Sequence, residues 1–217
     1  MSKTNSGADS DSNEQVFELK SKPLTFAVRL PTLIWNDFEI GHKSSVAFTP
    51  HTAFDGATFR RTLKNAEGEV HFSTNQPNVS VTGDGTIRFI KLFKGDLVVT
   101  ATDRRNRQAQ YTIPAPVRWF TVADDKAMLY ADYLEYLSSN QLTRASASAT
   151  QALVGLWGDL TQQGWPHNDG NKFGGYAIFY YSGEAPNYKN YMSIKTGYQE
   201  GITGNVRVGA CGFILNI

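Results

Sequence analysis

The hydrophobic period changes once along this 217-residue chain, near Arg118, and that change limits it to a strand-rich part followed by a mixed one. From Val16 to Ile113, short runs of β-branched and aromatic residues are broken by turn pairs, and no stretch repeats at helical spacing. The run 24–30 sets Phe26 and Val28 against Thr25, Ala27 and Arg29, so one face of it can be buried. Asp55-Gly56, Glu67-Gly68, Asp84-Gly85 and Gly95-Asp96 supply the positive-φ positions that tight hairpins need. Their spacing is near the ~8 to 12 residues expected of a β-sandwich, and about 100 residues is the size of one such domain.

After the segment 114–120, Pro-Ala-Pro-Val-Arg-Trp-Phe, the period becomes helical. Ala127, Tyr130, Ala131, Leu134 and Leu137 form one stripe, which predicts a helix over 125–138 with Asp124 and Asp125 at its electropositive N-terminus. A second helix starts with Thr143 or Ser146 as cap and carries Ala149, Leu153, Leu156, Trp157 and Leu160 on one face. Gly164 ends it and Trp165-Pro166 turns the chain. Beyond lie a polar loop, 167–175, and strands expected at about 175–182, 188–195 and 206–215. Two helices followed by a small antiparallel sheet is an α+β order. The expected division is therefore 1–15 as a disordered leader or linker, 16–117 as an all-β sandwich and 118–217 as an α+β domain. The short, proline-rich junction with no Gly/Ser linker predicts that the two move as one rigid body.

Lys and Arg total 21 against 20 Asp and Glu, so the net charge of +1 gives no electrostatic case for nucleic acid or an anionic membrane as partner. Through Arg118 the chain has 15 basic and 12 acidic residues, and beyond it 6 and 8, a mild asymmetry that fits two modules. No run approaches the ~18 apolar residues of a membrane span, and 1–15 lacks the apolar core of a signal peptide, so no direct membrane insertion is expected. Cys211 is the only cysteine, which excludes an intrachain disulfide. His42, His51, His71 and His167 are scattered, and no zinc, Gly-x-Ser-x-Gly or phosphate-loop motif is present. A Cys211–His167 dyad is conceivable, but Cys211 sits in an apolar terminal run that reads as a buried, inert thiol, with an intermolecular disulfide as the alternative. The expectation is a binding protein without cofactor or metal, not an enzyme.

The segment Ser73–Ile113 resembles a bacterial Ig-like domain. The resemblance is carried by Asn75–Pro77, Val79–Val81, the Asp84–Thr86 turn, Gly95 and Val98–Ala101 in that order. Downstream, Trp119-Phe120, the helix segment 127–137, the segment 142–166 ending Leu-Trp-Gly-Asp-Leu-Thr-Gln-Gln-Gly-Trp-Pro, and the Gly-and-aromatic run 174–182 resemble the C-terminal end of the intimin and invasin family of bacterial outer-membrane adhesins. The resemblance implies an all-β Ig-like sandwich followed by an α+β C-type-lectin-like domain. It also implies a place on the bacterial cell surface, outside the outer membrane and at the end of a longer chain, with a host cell-surface or extracellular protein as partner and a monomeric fragment. It further implies a disulfide from the first helix to the last strand, but 125–138 has no cysteine to meet Cys211.

Sugar-binding C-type lectins hold calcium through a Glu-Pro-Asn type loop and a following Asn-Asp pair. Here Glu184–Asn187 has an extra Ala and Asn168-Asp169 comes first, too few oxygens in the wrong order, so binding without calcium is expected. Eight aromatics lie between Phe173 and Tyr198, more than a core needs, and Tyr and Trp dominate protein contact sites. The expected contact patch is Trp165, facing outward, with His167, Asn171 and Lys172 on the loop and Tyr188 and Tyr191 beside it. The alternative is a structural cap or spacer of a surface stalk with no ligand, and a third reading is a carbohydrate lectin.

Overall fold

The computed structural model describes residues 30–41, 43–45, 47–165, 178–182, 188–193, 195–196, 198–203 and 208–215, with backbone alone at 124–127, 178–182, 188–192, 199–203 and 208–211. Contacts divide the chain into Met1–Pro31 and Thr32–Ile217, and the second unit carries everything below. The leader 1–15 and nearly all of the 24–30 run lie outside the described residues.

Up to Ile113 every element is a strand: β1 (Ile34–Trp35), β2 (Phe38–Ile40), β3 (Lys43–Ser45), β4 (Thr52–Phe54), β5 (Thr58–Arg60), β6 (Leu63–Lys64), β7 (Val70–Thr74), β8 (Val79–Val81), β9 (Thr86–Phe89), β10 (Leu97–Asp103) and β11 (Gln108–Ile113). All but β4 form sheets in the orders β3-β2-β5-β9-β8, β11-β10-β7 and β1-β6. In β10, Leu97, Val99, Ala101 and Asp103 are buried while the residues between are half-exposed, the period-two pattern of a strand with one face inward. All four turn glycines, Gly56, Gly68, Gly85 and Gly95, have positive φ, as their pairings with Asp or Glu predict. At the β10–β11 turn the buried Asp103 carboxylate accepts from the backbone N–H groups of Glu67, Arg105 and Arg107 and from the Arg107 guanidinium.

The remaining elements are β12 (Arg118–Met128), α1 (Tyr130–Ser139), β13 (Thr143–Arg144), α2 (Ala147–Trp157), β14 (Ile178–Ser182), β15 (Tyr188–Ser193), β16 (Gln199–Thr203) and β17 (Val208–Leu215). Strand β16 was not anticipated by the sequence pattern. The sheet β13-β17-β12-β4 is the frame of this part. Cys211 lies on β17 opposite Val122.

Two corrections concern the helices. Strand β12 runs to Met128, with Ala127 and Met128 paired to Gly209 and Val208 after a register shift, so α1 starts at Tyr130 rather than 125. Its buried residues are accordingly Tyr133 and Leu137, while Leu134, expected inside, is 42% exposed. The second helix is capped by Ser146, whose hydroxyl accepts from the Ala149 N–H, as one of the two expected caps. It ends at Gly158, not Gly164. Gly158 has φ 76° and ψ −147°, a conformation open only to glycine, and a 3₁₀ turn, Leu160–Gln163, follows.

Strand β4 joins the two parts. It comes from the sandwich sequence but pairs parallel to β12, Thr52 with Arg118, Ala53 with Trp119 and Phe54 with Phe120. The buried Trp157 of α2 meets Phe48, Phe54 and Phe89 edge-on at 5.1, 5.5 and 5.9 Å between centroids. Its indole N–H donates to the Thr52 carbonyl at 2.7 Å. The core of α2 and the 3₁₀ turn after it, including Leu153, Trp157 and Leu160, is thus continuous with the sandwich core of Phe59, Ile87 and Leu97. A separate small cluster of Ala123, Tyr133 and Leu137 holds α1.

Candidate functional site

The segment that carries the expected contact loop is anchored before the loop begins. After Gly158, Asp159 caps the 3₁₀ turn by accepting from the Thr161 N–H, and Gly164 closes it in the left-handed conformation, φ 71° and ψ 26°. Gln163 ties this turn to the sandwich. Its side-chain oxygen accepts from the Thr58 N–H at 2.7 Å and its amide donates to the Trp157 carbonyl at 3.3 Å. The Trp165 N–H then donates to the Leu160 carbonyl at 3.1 Å.

Trp165 is only 2% exposed, and its ring lies 4.8 Å from that of Phe54. The expectation that it faces outward is therefore corrected. The ring closes the core under the corner, where a large apolar surface is removed from water. His167, Asn171 and Lys172 lie outside the described residues, as do Asn168-Asp169 and Glu184–Asn187.

Tyr188 and Tyr191 are brought together on one strand, β15, the centre of the sheet β14-β15-β16. Tyr188 is opposite Thr203, and Tyr191 is opposite Tyr180 on one side and Glu200 on the other. They are three positions apart, an odd spacing on an element of period two. The turn joining β15 to β16 adds a residue that the expected patch omitted. The Ser193 N–H donates to the Tyr198 carbonyl at 3.0 Å, and the Ser193 hydroxyl accepts from Lys195 and Thr196 N–H groups. This compact turn presents Tyr198, which is 65% exposed. The signal for it in sequence is the Thr196-Gly197 pair directly before the aromatic residue. Such a turn offers a large amphipathic ring to solvent. Among the described residues no three His, Cys, Asp or Glu side chains are grouped to hold a metal.

No family model matches the sequence, and no curated protein matches it by sequence comparison. Solved structures do match the fold. An intimin mutant from EHEC O157:H7 superposes with a TM-score of 0.67 at 16% identity, covering 85% of this chain and 99% of that one. The C-terminal 282-residue fragment of intimin, solved in complex with the translocated intimin receptor (Tir) intimin-binding domain, gives 0.70 at 16% identity over 84% of this chain and 66% of the fragment. Invasin, described as a bacterial integrin-binding protein, gives 0.63 at 17% identity over 86% of this chain and 40% of that one. At such identities the likeness speaks for the fold, and the fold is that of the C-terminal fragments of intimin and invasin, an Ig-like sandwich followed by a C-type-lectin-like α+β part.

Proposed function

We propose that this chain is the binding end of a bacterial outer-membrane adhesin of the intimin and invasin type, with residues 16–117 as the Ig-like domain and 118–217 as the lectin-like domain. It engages a host cell-surface or extracellular protein through the lectin-like part, without calcium and without a cofactor, from the outer face of the cell. The observation that carries this is the match along 84–86% of the chain to two adhesins, one of them solved with its receptor domain and the other described as integrin-binding. The contact patch draws on the loop residues His167, Asn171 and Lys172, on one of Tyr188 and Tyr191, which the odd spacing sets on opposite faces of β15, and on the exposed Tyr198. Trp165, buried against Phe54, is not part of it.

The test uses the full 1–217 chain on host cells and on immobilised Tir intimin-binding domain and integrin, with and without EDTA. Saturable binding to cells that EDTA leaves unchanged is expected. Alanine at Lys172 or Tyr198, and at one of Tyr188 and Tyr191, each made singly, weakens it while the thermal midpoint stays put. Absence of binding to any host cell, serum or matrix protein would establish the alternative, a structural cap on a surface stalk. EDTA or excess Ca²⁺ is expected to leave the midpoint in place, whereas a bound ion at 100 times its Kd would add about 2.7 kcal/mol.

A further inference from the structure

The Ig-like and lectin-like parts meet along a groove of about 330 Å³ to which both contribute. Its floor is apolar: Trp119 and Ile214 from β12 and β17, Leu92 from the loop after β9, and Leu142 from the chain leaving α1. That volume lies at the low end of the ~300–1,000 Å³ usual for ligand sites, which favour domain junctions and combine an apolar lining with a few fixed polar groups. The polar lining is Asp55, Lys91, Thr121, Tyr136 and Asn140. Asp55 uses one oxygen to accept from the Trp119 indole N–H at 2.8 Å and keeps the other unpaired among the described residues. Asn140 donates its amide to the Tyr136 carbonyl at 2.8 Å, which fixes its carbonyl oxygen as a free acceptor. Lys91 stands at the rim, exposed, with no ion-pair partner among the described residues.

We propose that this seam groove is a second binding site, and that it takes an extended polypeptide segment presenting one bulky apolar side chain beside a carboxylate. The apolar floor takes the side chain, the two fixed acceptors match main-chain N–H groups, and the Lys91 ammonium matches the carboxylate. The anchoring of Trp119 makes the floor rigid. Its ring is held by Asp55 and packed against Phe89 and Phe93 at 6.1 and 5.7 Å, so little ordering cost falls on the protein when the groove fills. This site is separate from the tip and stands whether or not the tip binds a host protein.

The Trp119 indole N–H is a direct reporter in the ¹⁵N spectrum of the full chain. Titration with N-acetyl-Phe-Glu-amide is expected to shift it saturably in the millimolar range. N-acetyl-Phe-Lys-amide and N-acetyl-Ala-Glu-amide are expected to shift it only weakly and without saturation. Lys91→Glu, at an exposed position, should leave the melt unchanged and weaken the Phe-Glu peptide about fivefold, while Lys91→Arg retains it. No saturable shift with the Phe-Glu peptide, equal affinity for either control peptide, or unchanged affinity in Lys91→Glu each overturns the proposal.

Discussion

Replacing Trp157 by Phe keeps a ring in the pocket between Phe48, Phe54 and Phe89 but removes the indole N–H that the Thr52 carbonyl accepts at 2.7 Å. The carbonyl is then buried without that donor, which costs about 1–3 kcal/mol, and the smaller ring leaves a void that adds roughly 1 kcal/mol. About 3 kcal/mol in a unit of this size lowers the thermal midpoint by roughly 6–12 °C. Trp157→Ala loses the whole ring as well, about 3–5 kcal/mol before the orphaned carbonyl is counted. That approaches the whole stability of a typical domain, about 5–15 kcal/mol. The assay is a urea or thermal transition of Trp157→Phe followed by near-UV circular dichroism, with amide exchange read separately on β10 and β17. Because Trp157 of the lectin-like part packs into the sandwich core, protection should fall together on both strands. Two separated transitions, with β17 loosened and β10 unchanged, would refute the reasoning that one core serves both parts.

Gly212→Ala should be destabilising, since an added Cβ would lie 2.5 Å from Leu137 Cδ2 and 2.9 Å from Leu142 Cβ. Overpacking of this kind costs about 1–3 kcal/mol, read as a lowered urea midpoint. Thr52→Val should go the other way: the Thr52 hydroxyl is buried with no partner among the described residues, and its removal at constant branching is worth about 1 kcal/mol, seen as a raised midpoint. Asp103 gives a pH signature. Burial raises its pKa, but the Arg107 side chain and the backbone N–H groups of Arg107, Glu67 and Arg105 override this and hold it down at about 2, against 3.8 for the free group. Its folded pKa is depressed, so its contribution is complete above the unfolded value and is lost as pH falls from about 4 towards 2. The stability gap between the wild type and Asp103→Asn, measured by urea titration, should therefore be open at pH 6 and narrow steadily below pH 4.

What could be read from sequence was what the chain settles locally. The turn glycines are one case, because an Asp-Gly or Glu-Gly pair needs only its own backbone to demand a positive φ. Strand β10 was legible only in part: the Ig-like resemblance marked Val98–Ala101 as a strand, but its inward face is set by packing, since the apolar Val98 lies on the outer side and Asp103 on the buried one. Strand β4 gave no such signal. Thr52, Ala53 and Phe54 are all buried, so no polar residue marks a face, and its partner β12 lies more than sixty positions away. The same distant pairing explains the misplaced start of α1. Locally, Ala127 to Leu137 fits a helical stripe, but Ala127 and Met128 gain ladder bonds with β17, and the helix that remains turns Tyr133 inward in place of Leu134. By sequence Gly158 falls in the helix interior, because Leu160 continues the apolar face. Leu160 does so from the 3₁₀ turn instead.

The buried corner changes how the tip must be tested. Trp165 packs on Phe54, Phe54 packs on Trp157, and Phe54 itself belongs to the strand that the sandwich lends to β12. Gln163 repeats the connection through the Thr58 N–H. Alanine at Trp165 would therefore abolish binding by loosening the corner, at about 3–5 kcal/mol, whether or not any partner touches the ring. The same connections exclude a cut at residue 118 as a way to isolate the lectin-like part, because Trp157 would lose Phe48, Phe54 and Phe89 together with the Thr52 carbonyl. A fragment that fails to bind would report on folding. The informative variants are exposed positions within the intact chain, Tyr198 for the tip and Lys91 for the seam, where loss of affinity at a constant melting midpoint locates a contact.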